Sequence, residues 1–374
     1  MNLIRDYKPN KNPTISSYYS LRSTNKIATV WEYLGRYKSP SYTKNVIAKL
    51  IIKNKCLLGQ KAEQLALSIK QAEQYFISAR IADVSIQPLL IYYGIVGLSK
   101  CLIISGDNKY LLDTNLDSED YATHGLSWKA NFNNSVEVTT RNSLSLVDEF
   151  CKVKATGLYP LFRSCYCDNP IPKDTKITIK TLLSLIGEDW KKYHDFFSEP
   201  PNVYKCWNPK DGDVENIGDE KQIIGGFDDY FHLFHKQGSE TVEQTLDRLF
   251  PELNALYVEA GDRCFKSKDP LKSMDSHIVF SETQTLDTFA LIQPSLHYKL
   301  TDFDIYYLLF FILGSLARYS QNKWFSLIQR QDPKDEFFLI QNLFEIVQYK
   351  FPLLILKELE QKDYRFVGEV ATLG

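Results

Sequence analysis

The chain has 374 residues, 44% of them apolar and 13% aromatic, which is enough for a substantial core and excludes global disorder. The length suits two domains, or one large domain with insertions. A formal charge of −2 excludes overall steering toward nucleic acid or membrane, although the charge is unevenly spread.

Residues 1–55 form a basic, Tyr-rich arm, with eleven Lys or Arg against Asp6 and Glu32. Tyr7, Tyr18, Tyr19, Trp31, Tyr33, Tyr37 and Tyr42 are interleaved with these cations. Cations among flat rings suit a polyanion with exposed bases, such as nucleic acid, and Arg22, Lys26, Arg36 and Lys38 are the candidate contacts. The competing reading is a solvated surface whose rings pack beneath the domain. Residues 1–41 read as irregular and partly extended, and 42–56 as a short amphipathic segment.

Leu65, Ile69, Ala72, Phe76 and Ala79 recur at three- and four-residue spacings, which predicts a helix over 60–82. Residues 85–105, SIQPLLIYYGIVGLSKCLIIS, are nearly all apolar and predict a second helix from about 86 to 104. Its proline stands in the first turn, where a missing N–H costs nothing, and Gly106-Asp107-Asn108 ends it. The uncharged run 84–99, and 305–317 later, fall short of the ~18 residues a membrane crossing needs, so both read as buried core helices.

Beyond a polar loop holding His124-Gly125 and Trp128, residues 136–139 alternate as a short strand and 144–155 suit helix or strand. A strand at 176–179 and a helix from Thr181 through Trp190 follow. Residues 200–226 read as an acidic Gly/Pro/Asp-rich loop, and 211–220 within it is a candidate protein contact. A helix is expected over 241–249. Thr301-Asp-Phe-Asp304 resembles a capping box opening a second apolar helix, 303–319. Helices at 337–349 and 353–361, separated by Pro352, complete the chain.

The expected fold is therefore mainly α. A central pair of apolar helices, having no polar face, must be covered by amphipathic helices on all sides. The arm would span 1–55 and the helical core 56–124 with 281–374. A small strand-containing insertion would occupy 125–280.

Several chemistries lack their signatures. There is no phosphate-binding glycine loop, H-E-x-x-H, G-x-S-x-G or calcium loop. The seven cysteines are scattered and odd in number, and residues 1–11 are polar and charged, so free thiols in a reducing cytoplasm are expected. Cys165 and Cys167 would need ligands such as His194 or Cys206 to hold zinc, and His232 with His235 lacks a third ligand, so no metal or cofactor is expected. None of the six histidines follows an Arg at the spacing of the HEPN-like metal-independent ribonucleases.

Three polar features interrupt apolar surroundings. Lys100 lies in the first central helix, Arg318-Tyr319 followed by Trp324 ends the second, and His124 occupies the loop after the core. Arg318 could complete a helix C-terminus and Lys100 could snorkel. Alternatively they frame an anion site with His124 as its titratable member.

The 85–100 run, then His124-Gly125, His297-Tyr298 and Ala317-Arg318-Tyr319-x-x-x-x-Trp324, resemble the YaaC-like family of bacterial cytosolic proteins over about residues 60–330. Its pattern is a proline-led helix with a Tyr-Tyr-Gly core, a His-Gly shortly after, and a late Arg-Tyr…Trp. The Ile177-Thr-Ile-Lys-Thr-Leu-Leu stretch also fits. The resemblance implies no reaction, and it explains neither the basic arm nor the acidic loop. The expectation is a binding or effector component, plausible in anti-phage defence, with Lys100, Tyr319 and Trp324 as further binding residues. The alternatives are a divergent HEPN-like ribonuclease using His124 and Arg318 as catalytic residues, and a scaffold that binds a protein partner through 211–220.

Overall fold

The computed structural model describes residues 18–21, 23, 25–106, 108, 111, 123–128, 145–199, 201–207, 298–329 and 336–366, with short strands between 214 and 292. The chain divides into two compact units. The first comprises 1–7, 25–183 and 302–361, and the second comprises 8–24, 184–301 and 362–374.

In the first unit, α3 (Leu58–Ile81) and α4 (Gln87–Ser105) pack along each other. The periodic residues Leu65, Ile69, Ala72, Phe76 and Ala79 form the buried stripe of α3. Two glycines of α4 permit the close approach. A Cβ on Gly94 would lie 2.7 Å from the Phe76 ring, and one on Gly97 would lie 3.0 Å from Ala72 Cβ. The glycine of the Tyr-Tyr-Gly run therefore exists to seat Phe76.

The second apolar helix, α7 (Asp302–Tyr319), crosses α4 at Gly314, and every residue from Phe303 to Ala317 is buried. α10 (Leu343–Glu360) covers both, and α1 (Lys26–Gly35) covers α10. The central pair with its covers is thus the core. At 19 residues α4 does reach membrane-spanning length by composition, but 78% of its apolar window is buried against these neighbours. It is the core helix.

The basic arm departs from expectation. Asn25 accepts a hydrogen bond from Ala28 N at 3.0 Å and so caps α1. Pro40 opens α2 (Pro40–Ile47), which packs on α3. Burial of Trp31, Leu34, Tyr37 and Ile47 outweighs the loop-like composition, so 26–47 belongs to the helical core. Pro352 likewise lies inside α10, where packing outweighs its missing N–H.

Lys61, on the first turns of α3, is fully buried. Its Nζ donates to Ile104 O at 2.9 Å, Gly106 O at 3.0 Å and Asn108 Oδ1 at 2.9 Å. The terminal carbonyls of a helix have no partner within it, and here a lysine from the neighbouring helix supplies the donors.

A three-stranded antiparallel sheet, β1 (Leu126–Trp128), β2 (Phe150–Val153) and β3 (Lys176–Thr178), packs by its central strand on α7. The sheet falls within the first unit, so the boundary expected at 125 is displaced to 183/184. Two short helices flank it, α5 (Leu158–Arg163) and α6 (Ile179–Leu183). The buried Glu149 beside β2 accepts from Lys323 Nζ at 2.5 Å and Trp128 Nε1 at 2.8 Å, which ties the sheet to α8 (Gln321–Ile328). α9 (Glu336–Gln341) closes over the 145–146 loop, where Glu336 accepts from Ser145 Oγ at 3.0 Å and from Leu146 N.

Asp304 is fully buried on the first turn of α7. The carboxylate expected to complete a capping box is occupied by three other donors. Tyr159 and Tyr166 give their hydroxyls to Oδ1 at 2.7 and 2.6 Å, and Arg163 Nη1 donates to Oδ2. Burial, and then the Asp304 charge, push both tyrosines well above the usual phenol range. Burial works to lower Arg163, but Asp304 outweighs it and the guanidinium is raised. Arg163 Nε and Nη2 also donate to Asn169 O at 3.0 and 2.8 Å.

Among its described residues the second unit holds several antiparallel strands. Its largest sheet runs, edge to edge, Ile278–Glu282, Thr288–Ile292, Val203–Trp207 and His232–Leu233. Tyr18–Leu21 pairs in parallel with Asp363–Phe366, and Trp190–Phe197 is helical. The expected acidic loop holds strand Val203–Trp207 and a hairpin, Val214–Ile217 with Glu220–Ile223. His232 lies on a strand. His235, the strand at 136–139 and the helix at 241–249 lie outside the described residues.

A candidate anion site around His124

The site is assembled from two helices and two loops of the first unit. On α4, Tyr92 is buried and Tyr93 and Lys100 are partly exposed; Tyr93 and Lys100 lie seven residues apart and so share a face. On α7, Phe311 and Arg318 have the same spacing, placing Arg318 at the exposed end of a helix otherwise lost in the core. Arg318 Nη1 donates to Tyr93 OH at 3.0 Å, and its guanidinium lies 4.9 Å from the Tyr319 ring centre. Tyr93 in turn stacks on Tyr75 at 5.5 Å.

His124 is exposed, with its ring packed beside Tyr92 (5.6 Å between centres) and Phe311 (6.0 Å). Its Nδ1 is 2.9 Å from Tyr92 OH. Burial raises Tyr92 well above the usual phenol range, with Tyr307 adding to the effect, so this hydroxyl keeps its proton. The direction of this bond follows the imidazole tautomer: Tyr92 donates when Nε2 carries the ring proton and accepts when Nδ1 does.

The loop carrying His124 is fixed through its backbone. Leu158 N donates to Thr123 O at 2.9 Å, Tyr159 N to His124 O at 3.1 Å, and Lys154 N to Gly125 O at 2.9 Å. This docking depends on two glycines that cross face to face. Gly125 has φ +71° and Gly157 φ +120°; a Cβ on either would lie 2.4 Å or less from its neighbours. Gly125→Ala and Gly157→Ala are each expected to lower the unfolding midpoint in a thermal melt. The left-handed backbone alone costs about 1–3 kcal/mol with a side chain present, and the overlap adds to it. An unchanged melt for either variant would contradict this geometry.

Desolvation of the ring, and then the charges of Arg318, Lys100 and Lys154, hold His124 below the ordinary imidazole value. It is neutral at neutral pH, yet it sits in a positive field drawn from three separate chain segments. Every one of these groups can donate a hydrogen bond, an arrangement suited to holding an anion.

The structure thus brings together His124, Lys100, Arg318 and Tyr319. Trp324 is 1% exposed and packs edge-on to Phe337, so it is a core residue. The arm cations sit elsewhere: Lys38 donates to Glu73 at 2.6 Å, Lys26 lies over the Tyr349 ring and Arg36 over Tyr33. Arg22 lies outside the described residues. Lys154 escaped the sequence reading, because an exposed lysine after a strand carries no local signal; Gly157, in a Thr-Gly turn, offered the only hint. Among the described residues no three of His, Cys, Asp or Glu gather to hold a metal.

Residues 33–359 match the model of the YaaC-like Protein family, and the chain belongs to that family. No curated protein and no solved structure matches it.

Proposed function

We propose that this member of the YaaC-like family binds a phosphate-bearing polyanion on the face formed by Lys100, Lys154 and Arg318 around His124. One arrangement carries this reading: Arg318 on α7 bonds Tyr93 on the face of α4 that also bears Lys100, and the backbone N–H of Lys154, after β2, is tied to Gly125 beside the exposed His124. Like charges held near one another raise the local concentration of counter-ions, and a bound anion relieves their repulsion.

The test is a fluorescence-anisotropy titration with a short labelled single-stranded RNA over a range of salt. The wild type should bind less tightly as salt rises. Removing all three cations, with Lys100→Ala, Lys154→Ala and Arg318→Ala together, should weaken binding at least tenfold. Each lost phosphate contact should flatten the log–log salt slope by roughly 0.7. Equal binding by the wild type and the triple variant would overturn the reading.

The ribonuclease alternative is favoured by one arrangement: His124, its candidate proton carrier, meets Tyr92 OH at 2.9 Å, while the adjoining Tyr93 accepts from Arg318 Nη1 at 3.0 Å. Electrophoresis of the same RNA after incubation tests it. Intact RNA removes the alternative, whereas cleavage lost in His124→Ala would support it.

A further inference from the structure

The cationic face does not end in cations. Tyr319 is 63% exposed and follows Arg318 at the exposed end of a helix whose buried run closes at Ala317. Its ring carries the Arg318 guanidinium at 4.9 Å, and Arg318 also reaches Tyr93, which stacks on Tyr75 with 29° between the ring planes. The surface therefore presents a row in the order Tyr75, Tyr93, Arg318, Tyr319, beside the field of Lys100 and Lys154. An exposed tyrosine ring in contact with an arginine plane is a platform on which another flat ring can stack.

We infer that the occupant of this face is a single-stranded nucleic acid, its phosphates held by Lys100, Lys154 and Arg318 and a base stacked at Tyr319. The inference rests on the polyanion reading above and narrows it. A duplex keeps its base faces inside its own stack, and inorganic polyphosphate has none to offer. Only an unpaired strand uses the charged and the flat parts of the surface together. A sequence-tolerant mode is expected, because every base has a face to stack.

The experiment compares three probes in the same anisotropy format: a short single strand, an abasic strand with the same number of phosphates, and inorganic polyphosphate as competitor. Tyr319 is largely exposed, and the fold of Tyr319→Ala is checked by circular dichroism. Against the single strand it should lose about tenfold in affinity, within the roughly five- to hundredfold range of one base–aromatic stack. Its salt slope should stay that of the wild type, since no phosphate contact is removed. The abasic strand should bind wild type and Tyr319→Ala alike, and polyphosphate should compete equally against both.

An unchanged affinity of Tyr319→Ala for the single strand overturns this inference. So does an abasic strand that binds the wild type as tightly as the intact one. Either result leaves the polyanion reading standing, because that reading fails only if the triple cation variant binds as the wild type does.

Discussion

Asp304→Ala is expected to destabilise the helical unit more than any other single change. The substitution leaves Arg163 buried with its countercharge gone, and breaking a buried pair from one side costs about 3–5 kcal/mol. Tyr159 and Tyr166 lose their shared acceptor at the same stroke, for about 1–3 kcal/mol each if they stay buried. Whole domains are stable by only about 5–15 kcal/mol, so the variant should be partly or wholly unfolded. Urea denaturation followed by circular dichroism reads this directly. Replacing the pair together, as Asp304→Leu with Arg163→Met, should recover only part of the loss, because both tyrosine hydroxyls would still lack their acceptor. Near-normal stability of Asp304→Ala would show that the network is not what holds α5 to α7.

Lys61→Met ranks second. The substitution keeps the aliphatic stem and removes three hydrogen bonds, to Ile104 O, Gly106 O and Asn108 Oδ1. Buried acceptors that lose their donor cost about 1–3 kcal/mol apiece, so a loss of several kcal/mol is expected. The damage should be local before it is global. Amide exchange at the last turn of α4 should accelerate more than exchange at its middle, where Phe76 and Ala72 hold the helix. Uniform protection along α4 in this variant would rule out the capping role.

Much of the architecture was legible in the sequence, and the reasons are particular. α4 and α7 have no polar face, so their central position follows from solvation alone, and the stripe on α3 has an unmistakable period. α1 and α2 were not legible, because what makes them helical is remote: Trp31 and Tyr37 gain burial that no local composition reports. Asn25 and Pro40 were the available signs, a cap and a first-turn proline. Asp304 was read as a local cap because its true partners stand 138 to 145 residues away in the chain. At the site, His124, Lys100 and Arg318 stood out as polar interruptions of apolar sequence. Lys154 and the crossing of Gly125 with Gly157 did not, because both depend on two loops meeting in space.

That crossing has a consequence for how a ligand would be received. The His124 loop is tied by three backbone hydrogen bonds to the 154–159 segment, and Tyr159 in that segment is itself anchored to the buried Asp304. The imidazole is thus held in place before anything arrives. Capture need immobilise only the exposed ends of Lys100, Lys154 and Arg318, at about 0.5–1.5 kcal/mol each. The receptor is preorganised, so binding should proceed with little backbone rearrangement, and its speed should be set by electrostatic encounter rather than by folding of the site.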